Sequence, residues 1–249
     1  MAFIELNIFS NTMQMQQPVY VVMPQITNPQ SKPKCLYLLH GLSDNHATWM
    51  RNTSIERYAQ KYNLCVVMPF GNKSFYTDMK HGEKYFTYVA IELPKIIENM
   101  FNVSDKREDR FIAGNSMGGY GALKIAMREC DRFSAAIGLS SAVDVASRNL
   151  ISHANCDLIL ENVFGHPLSI PDNEDLFKLA EKCSKSDNMP QIYMAVGTED
   201  YLYGDNQRFK EKLSSLGVDY TYEEGEGGHS WAFWDKYISR ALDWLLKGK

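Results

Sequence analysis

A serine framed by small residues, a histidine framed by glycines and an aspartate between them are the residues here whose types and order can do chemistry. Ser116 lies in "IAGNSMGGYG", residues 112–121, where Gly114-Asn115-Ser116-Met117-Gly118 fits G-x-S-x-G. In that pattern the serine occupies a strand-to-helix turn so tight that its neighbours must be small. A lone serine hydroxyl is a weak nucleophile and needs a base. His229, in "EEGEGGHSWAFWD", is the candidate, because Gly225, Gly227 and Gly228 let its loop reach across to the serine. The base in turn needs a carboxylate to orient the ring and stabilise its charged form. Asp200, in "GTEDYLYG", follows an apolar run between the other two; Glu199 and Asp144 are its competitors. The chemistry implied is acyl transfer, which also needs two converging N–H donors for the oxyanion. Met117 N–H, next to the nucleophile, is one. Leu42 N–H, in the loop "HGLSDNHATW", is the choice for the other. His40 ends the strand before that loop and is expected to brace it by hydrogen bonds. His46, His81, His153 and His166 fall in polar stretches and are taken as solvated.

These residues need a scaffold of strand ends. "CLYLLHG", "LCVVMPF", "RFIAGN", "FSAAIGLSS" and "QIYMAVG" are continuous apolar runs, as strands buried on both faces are. Helical patterns separate them: "NTSIERYAQKY" with Asn52 or Thr53 as cap, "YVAIELPKIIENMF" with Pro94 bending it or in its first turn, and "GGYGALKIAMREC". "DNQRFKEKLSSLG", ended by Gly217, and a closing amphipathic helix from Ser230 follow. The stripe Trp231, Trp234, Ile238 and Leu242 on the closing helix has the spacing of a core face. "FIELNIFS" alternates, and with "PVYVVMP" it precedes the strand–helix alternation, so the two are expected as an antiparallel edge. "ITNPQSKPK" is a turn, and "GNKSFYTDMKHGEKY" a long loop. The whole predicts an α/β fold: a mostly parallel sheet with helices on both faces, one domain over 1–249, and a cap-like insert at about 144–190.

Net charge is −4, and no block of like charge appears, which excludes the electrostatic footprint of a nucleic-acid binder. No apolar run is long enough to span a bilayer, and "MAFIELNIFS" is no signal peptide. The five cysteines are odd in number and lack zinc-type spacing, so they are expected as reduced thiols in a cytoplasmic protein.

The segments "LLHGLSDNHATW", "SFYTDM", "AGNSMGGYGALKIA", "GTEDYLY" and "GGHSWAFWD" together resemble the esterase D-like branch of the α/β-hydrolases, and within it the small bacterial tributyrin esterases. Asn115 departs from the pattern, since a hydrophobic residue or histidine more often precedes that serine. The resemblance implies a serine carboxylesterase for short acyl esters, with Ser116 as nucleophile, Asp200 as acid, His229 as base and Leu42 and Met117 N–H as the oxyanion hole. It implies no cofactor and no metal. The partner is a small-molecule ester; no nucleic acid or membrane is expected, and a homo-oligomer is left open. Other activities in the family are those of acetyl-xylan or feruloyl esterases and S-formylglutathione-type thioesterases. A non-catalytic binding protein on the same fold is the alternative of a different class. Relatives place the loop holding Tyr76, Asp78, His81 and Tyr85 beside the site, so these residues are either substrate contacts or a structural loop pinned by its aromatics. In the insert, Leu158, Ile159, Val163 and Phe164 are candidates to limit acyl length.

Overall fold

The computed structural model describes residues 1–25, 30, 32–154 and 156–247. The period-2 pattern at the N-terminus becomes an antiparallel pair, β1 (Ala2–Ser10) and β2 (Met15–Met23). β2 also pairs antiparallel with β4 (Cys65–Pro69). From there the sheet is parallel, through β3 (Cys35–Leu39), β5 (Arg110–Asn115), β6 (Ala135–Leu139), β7 (Gln191–Gly197) and β8 (Tyr220–Gly225). The eight strands lie in the order β1-β2-β4-β3-β5-β6-β7-β8. β5, which ends one residue before Ser116, is thus held between β3 and β6.

Strand alternation splits the apolar residues between two cores. Tyr37, Val67 and Ile112 face one side; Leu36, Val66 and Phe111 face the other. The second core is covered by α1 (Thr48–Asn52), α2 (Ile55–Lys61) and α9 (Trp231–Leu246), whose Trp234, Ile238 and Leu242 are buried as their spacing requires. The first core carries α3 (Leu93–Met100), α4 (Met117–Arg128) and α8 (Tyr203–Ser215). The insert adds α5 (Arg148–Ala154), α6 (Asp157–Phe164) and α7 (Leu176–Cys183) on that side.

Two helices differ from expectation. "NTSIERYAQKY" is not one helix capped by Asn52 or Thr53. Thr53 Oγ donates to Trp49 C=O and accepts from Ile55 N–H, so it ends α1 and opens α2. The segment before Pro94 winds as a wider π-helical turn, Thr87–Glu92. Pro94 has no N–H, and its ring would crowd the carbonyl four residues back in a continuous α-helix. It therefore sits in the first turn of α3. The turn "ITNPQSKPK" falls largely outside the described residues. All five cysteines are free thiols. Among the described residues no helix is long and apolar enough to cross a membrane.

The insert is fastened to the sheet layer by a buried ion network. Lys124, on α4, is fully buried. Its ammonium donates to Glu174 at 2.6 Å, to Thr77 Oγ and to Phe75 C=O. Arg128 donates to the other Glu174 oxygen, and Tyr120 O–H to the Glu174 carbonyl. Burial pulls the Lys124 ammonium down to about 8, with the Glu174 carboxylate opposing that shift. Removing one partner of such a pair strands the other charge. Glu174→Gln should therefore cost about 3 kcal/mol in urea denaturation. The double change Lys124→Met with Glu174→Gln should cost less than the sum of the single changes.

Candidate active site

The site begins with a backbone constraint. Ser116 has φ +54° and ψ −117°, a left-handed conformation that a residue with a side chain adopts only under restraint. Its N–H donates to Leu139 C=O, and its C=O accepts from Tyr120 and Ala142 N–H. The turn leaves no room for side chains at two positions. A Cβ on Gly114 would lie 2.4 Å from the Gly118 backbone, and one on Gly118 would lie 2.3 Å from Leu39 O. The first turn of α4 is therefore seated directly on the end of β3, and Ser116 projects beyond the strand ends.

His229 arrives on the loop between β8 and α9. Its Nε2 lies 2.9 Å from Ser116 Oγ, and its Nδ1 lies 2.9 and 3.1 Å from the two Asp200 oxygens. A carboxylate only accepts, so the proton sits on Nδ1 and the Nε2 lone pair faces the serine hydroxyl. Asp200 is buried and also accepts from Leu202 N–H at 2.9 Å. The Tyr201 ring lies 4.6 Å from the imidazole, and Trp234 meets it edge-on at 5.0 Å. Burial and the nearby Asp200 charge push the Tyr201 hydroxyl up to about 12, so it stays a neutral phenol. The competitors lie elsewhere: Glu199 is exposed, and Asp144 pairs with Arg208 at 2.7 Å.

Ser116 and His229 open into a cleft of about 370 Å³. Leu42 and Met117 line it, and neither N–H has a hydrogen-bond partner among the described residues. The Leu42 loop is braced from behind by His40, as its position suggested. His40 Nε2 accepts from Gly71 N–H at 2.9 Å, so Nδ1 carries the proton and donates to Gly41 C=O at 2.7 Å. Burial pushes the His40 imidazole down to about 4 and keeps it neutral.

The proposed substrate contacts do not reach the cleft. Tyr76 is fully buried, and its hydroxyl donates to His40 C=O at 3.0 Å; it is a pillar under the same loop. Asp78 is turned to solvent and caps the π-helical turn by accepting from Thr87 N–H and Oγ. His81 is exposed, and its backbone N–H joins the insert through Asn162 C=O. Tyr85 and Phe164 belong to the core, as does Val163. Of the insert, Leu150 lines the cleft instead. The aromatic loop sends in Phe75, next to Tyr76, and both have positive φ, which reverses the alternation a sequence pattern assumes. Trp231 and Trp234 do double service, since α9 ends its core stripe at the cleft wall. His46 is not solvated but packs edge-on against Tyr20 at 4.6 Å. The His153 side chain lies outside the described residues.

A parallel sheet with an antiparallel edge, a strained serine between strand and helix, and a histidine on the last strand–helix loop define an α/β-hydrolase. The chain belongs to the family described as "Putative esterase", whose model matches residues 10–245, and by that membership it is a carboxylic ester hydrolase. It is 34% identical to an acetyl esterase of Caldicellulosiruptor saccharolyticus, with 99% of each chain covered. Among solved structures it is similar to the fluorophosphonate-binding serine hydrolase FphF of Staphylococcus aureus, at TM-score 0.92 and 38% identity, over 99% of this chain and 98% of that one. It is also similar to the S-formylglutathione hydrolase FrmB of Staphylococcus aureus, at TM-score 0.89 and 38% identity, over 99% of both chains.

His40 makes stability acid-sensitive. Its folded-state pKa of about 4 lies below the ordinary 6.5, so between these values the unfolded chain binds more protons. Stability should therefore fall as pH drops from about 6.5 toward 4, by roughly 3 kcal/mol from this group. Urea midpoints measured across that window should show the loss, and His40→Gln should flatten it.

Proposed function

We propose that this protein hydrolyses short-chain acyl esters through an acyl-enzyme on Ser116. The carrying observation is the hydrogen-bonded chain Asp200–His229–Ser116 beside two uncommitted N–H groups in a small, partly apolar cleft. His229 Nε2 takes the Ser116 proton as Oγ attacks the ester carbonyl. The negative charge on the carbonyl oxygen is met by Leu42 and Met117 N–H, which need no reorganisation to receive it. The imidazolium, stabilised by Asp200, gives its proton to the departing alcohol. His229 then removes a proton from water, which attacks the acyl carbonyl and frees Ser116.

The short acyl group follows from the walls. Phe75, Met117, Ala142, Leu150, Trp231 and Trp234 give the cleft its apolar side, and about 370 Å³ is at the small end for a ligand site. The five free thiols suit a reducing setting such as the cytoplasm. A thioesterase reading is favoured by the similarity to FrmB, and comparing S-formylglutathione with butyrate esters separates the two.

The test is hydrolysis of nitrophenyl esters of increasing acyl length. Ser116→Ala and His229→Ala should each lower kcat by about 10⁴-fold or more, and Asp200→Asn by a similar order. Failure of a fluorophosphonate to label Ser116 would favour a non-catalytic binding protein. Leu150→Ala should shift the preference toward longer acyl chains. Phe164→Ala should leave that preference in place and lower only stability, by about 3 kcal/mol.

A further inference from the structure

Beside the triad stands a hydroxyl that a serine, a histidine and an aspartate do not require for acyl transfer, that of Tyr201. It lines the cleft with Ser116 and His229. The phenol oxygen lies 3.5 Å from His229 Nε2 and reaches the Ser116 side chain as well. Its ring leans on the imidazole, with 4.6 Å between centroids and 46° between planes. The backbone on either side is pinned, because Asp200 Oδ1 accepts from Leu202 N–H and Asp200 C=O from Tyr203 N–H. Holding the imidazole does not account for the hydroxyl. Asp200 fixes Nδ1, and Trp234 closes edge-on at 5.0 Å with its own Nε1–H tied to Ser140 Oγ. A phenylalanine would supply the same ring contact as the tyrosine. Burial and the Asp200 charge push the phenol up to about 12, so at neutral pH it keeps its proton and can donate.

In the resting enzyme Ser116 O–H donates to Nε2, so the phenol O–H meets a lone pair of Oγ. Attack turns Oγ into an ester oxygen, which is a weaker acceptor. The departing oxygen is bonded to the same carbon, and it must lie within reach of Nε2, whose proton it takes. The phenol, next to both Oγ and Nε2, therefore stands next to that oxygen too. Negative charge grows there as the C–O bond breaks, so a hydrogen bond to it strengthens toward the transition state. We infer that Tyr201 is a fourth catalytic residue, whose O–H donates to the leaving-group oxygen. The electron pair of the breaking C–O bond goes to that oxygen, His229 Nε2 gives it the proton, and Tyr201 keeps its own. No further reactant takes part. This assignment rests on the serine esterase reading, because it concerns the leaving group of that reaction.

The experiment compares kcat/KM of the wild type and Tyr201→Phe on three esters that share one acyl part: nitrophenyl, phenyl and ethyl butyrate. Nitrophenolate departs readily as an anion, phenolate less readily, and ethoxide only with a proton. The loss in Tyr201→Phe should grow in that order, from about twofold on the nitrophenyl ester to about tenfold or more on the ethyl ester, the worth of a hydrogen bond to a charged acceptor. Tyr201→Leu also takes the ring off the imidazole, and should add a further loss that is the same on all three. Labelling of Ser116 by a fluorophosphonate, whose fluoride leaves without a proton, should fall in Tyr201→Phe no further than the nitrophenyl rate. An equal loss on the three esters in Tyr201→Phe would overturn the assignment and leave Tyr201 as a brace for the triad. So would a labelling loss as large as the ethyl-ester loss, or an ethyl-ester rate equal to the wild type. Hydrolysis of none of the three esters by the wild type would instead count against the esterase reading itself.

Discussion

The close approach of the first turn of α4 to the end of β3 is the constraint on which the site depends. With no side chain on Gly118, the helix rests on Leu39 O; with none on Gly114, the strand can turn back so sharply. Ser116 takes up the resulting strain, of about 1–3 kcal/mol for such a conformation. Three backbone hydrogen bonds from neighbouring strand ends and the next helical turn hold it. The same approach brings the loop after β3 beside the N-terminus of α4. Leu42 and Met117 therefore line the same cleft as Ser116 as a consequence of the serine's own turn, without a separate device.

What keeps that arrangement rigid lies underneath it. The Leu42 loop is tied down by two buried groups that touch no substrate. His40 bridges Gly41 and Gly71, and Tyr76 reaches up to the His40 carbonyl. Behind α4, Lys124 holds both the aromatic loop, through Phe75 C=O and Thr77, and the insert, through Glu174. Phe75 and Leu150, the two cleft residues those segments supply, are thus referenced to the helix that starts at the serine. Low dielectric makes each of these polar links costly to break, which suits parts that must not drift.

The scaffold was legible because central parallel strands bury both faces and show as unbroken apolar runs. Ser116 and Asp200 were legible because each follows such a run, and His229 because glycines frame it before the closing helix; strand ends on one side of a parallel sheet meet. The cleft walls were not. Tyr76 and Phe75 are adjacent aromatics in one loop, both at positive φ, and a hydrophobic pattern does not tell that Phe75 lines the cleft while Tyr76 supports its loop. Phe164 looked like a wall from its bulk and its place in the insert. Helix packing turned it to the core and gave the wall to Leu150, in a segment that shows no comparable apolar signal. Trp231 and Trp234 could be assigned to a core face by spacing, but spacing says nothing of where that face ends.

Asp200 and Asp44, the carboxyls around the Ser116 turn that His229 acts on, differ in their partners. Asp200 is buried, and both its partners, His229 Nδ1–H and Leu202 N–H, are donors that fix its orientation. Asp44 stands on the oxyanion-loop side, and burial pushes its carboxyl above the ordinary range. A full charge there would work against an anion forming at Leu42 and Met117 N–H. Burial thus works toward a neutral Asp44, while Gly41 N–H, the Asn115 amide and the nearby His229 work toward the carboxylate.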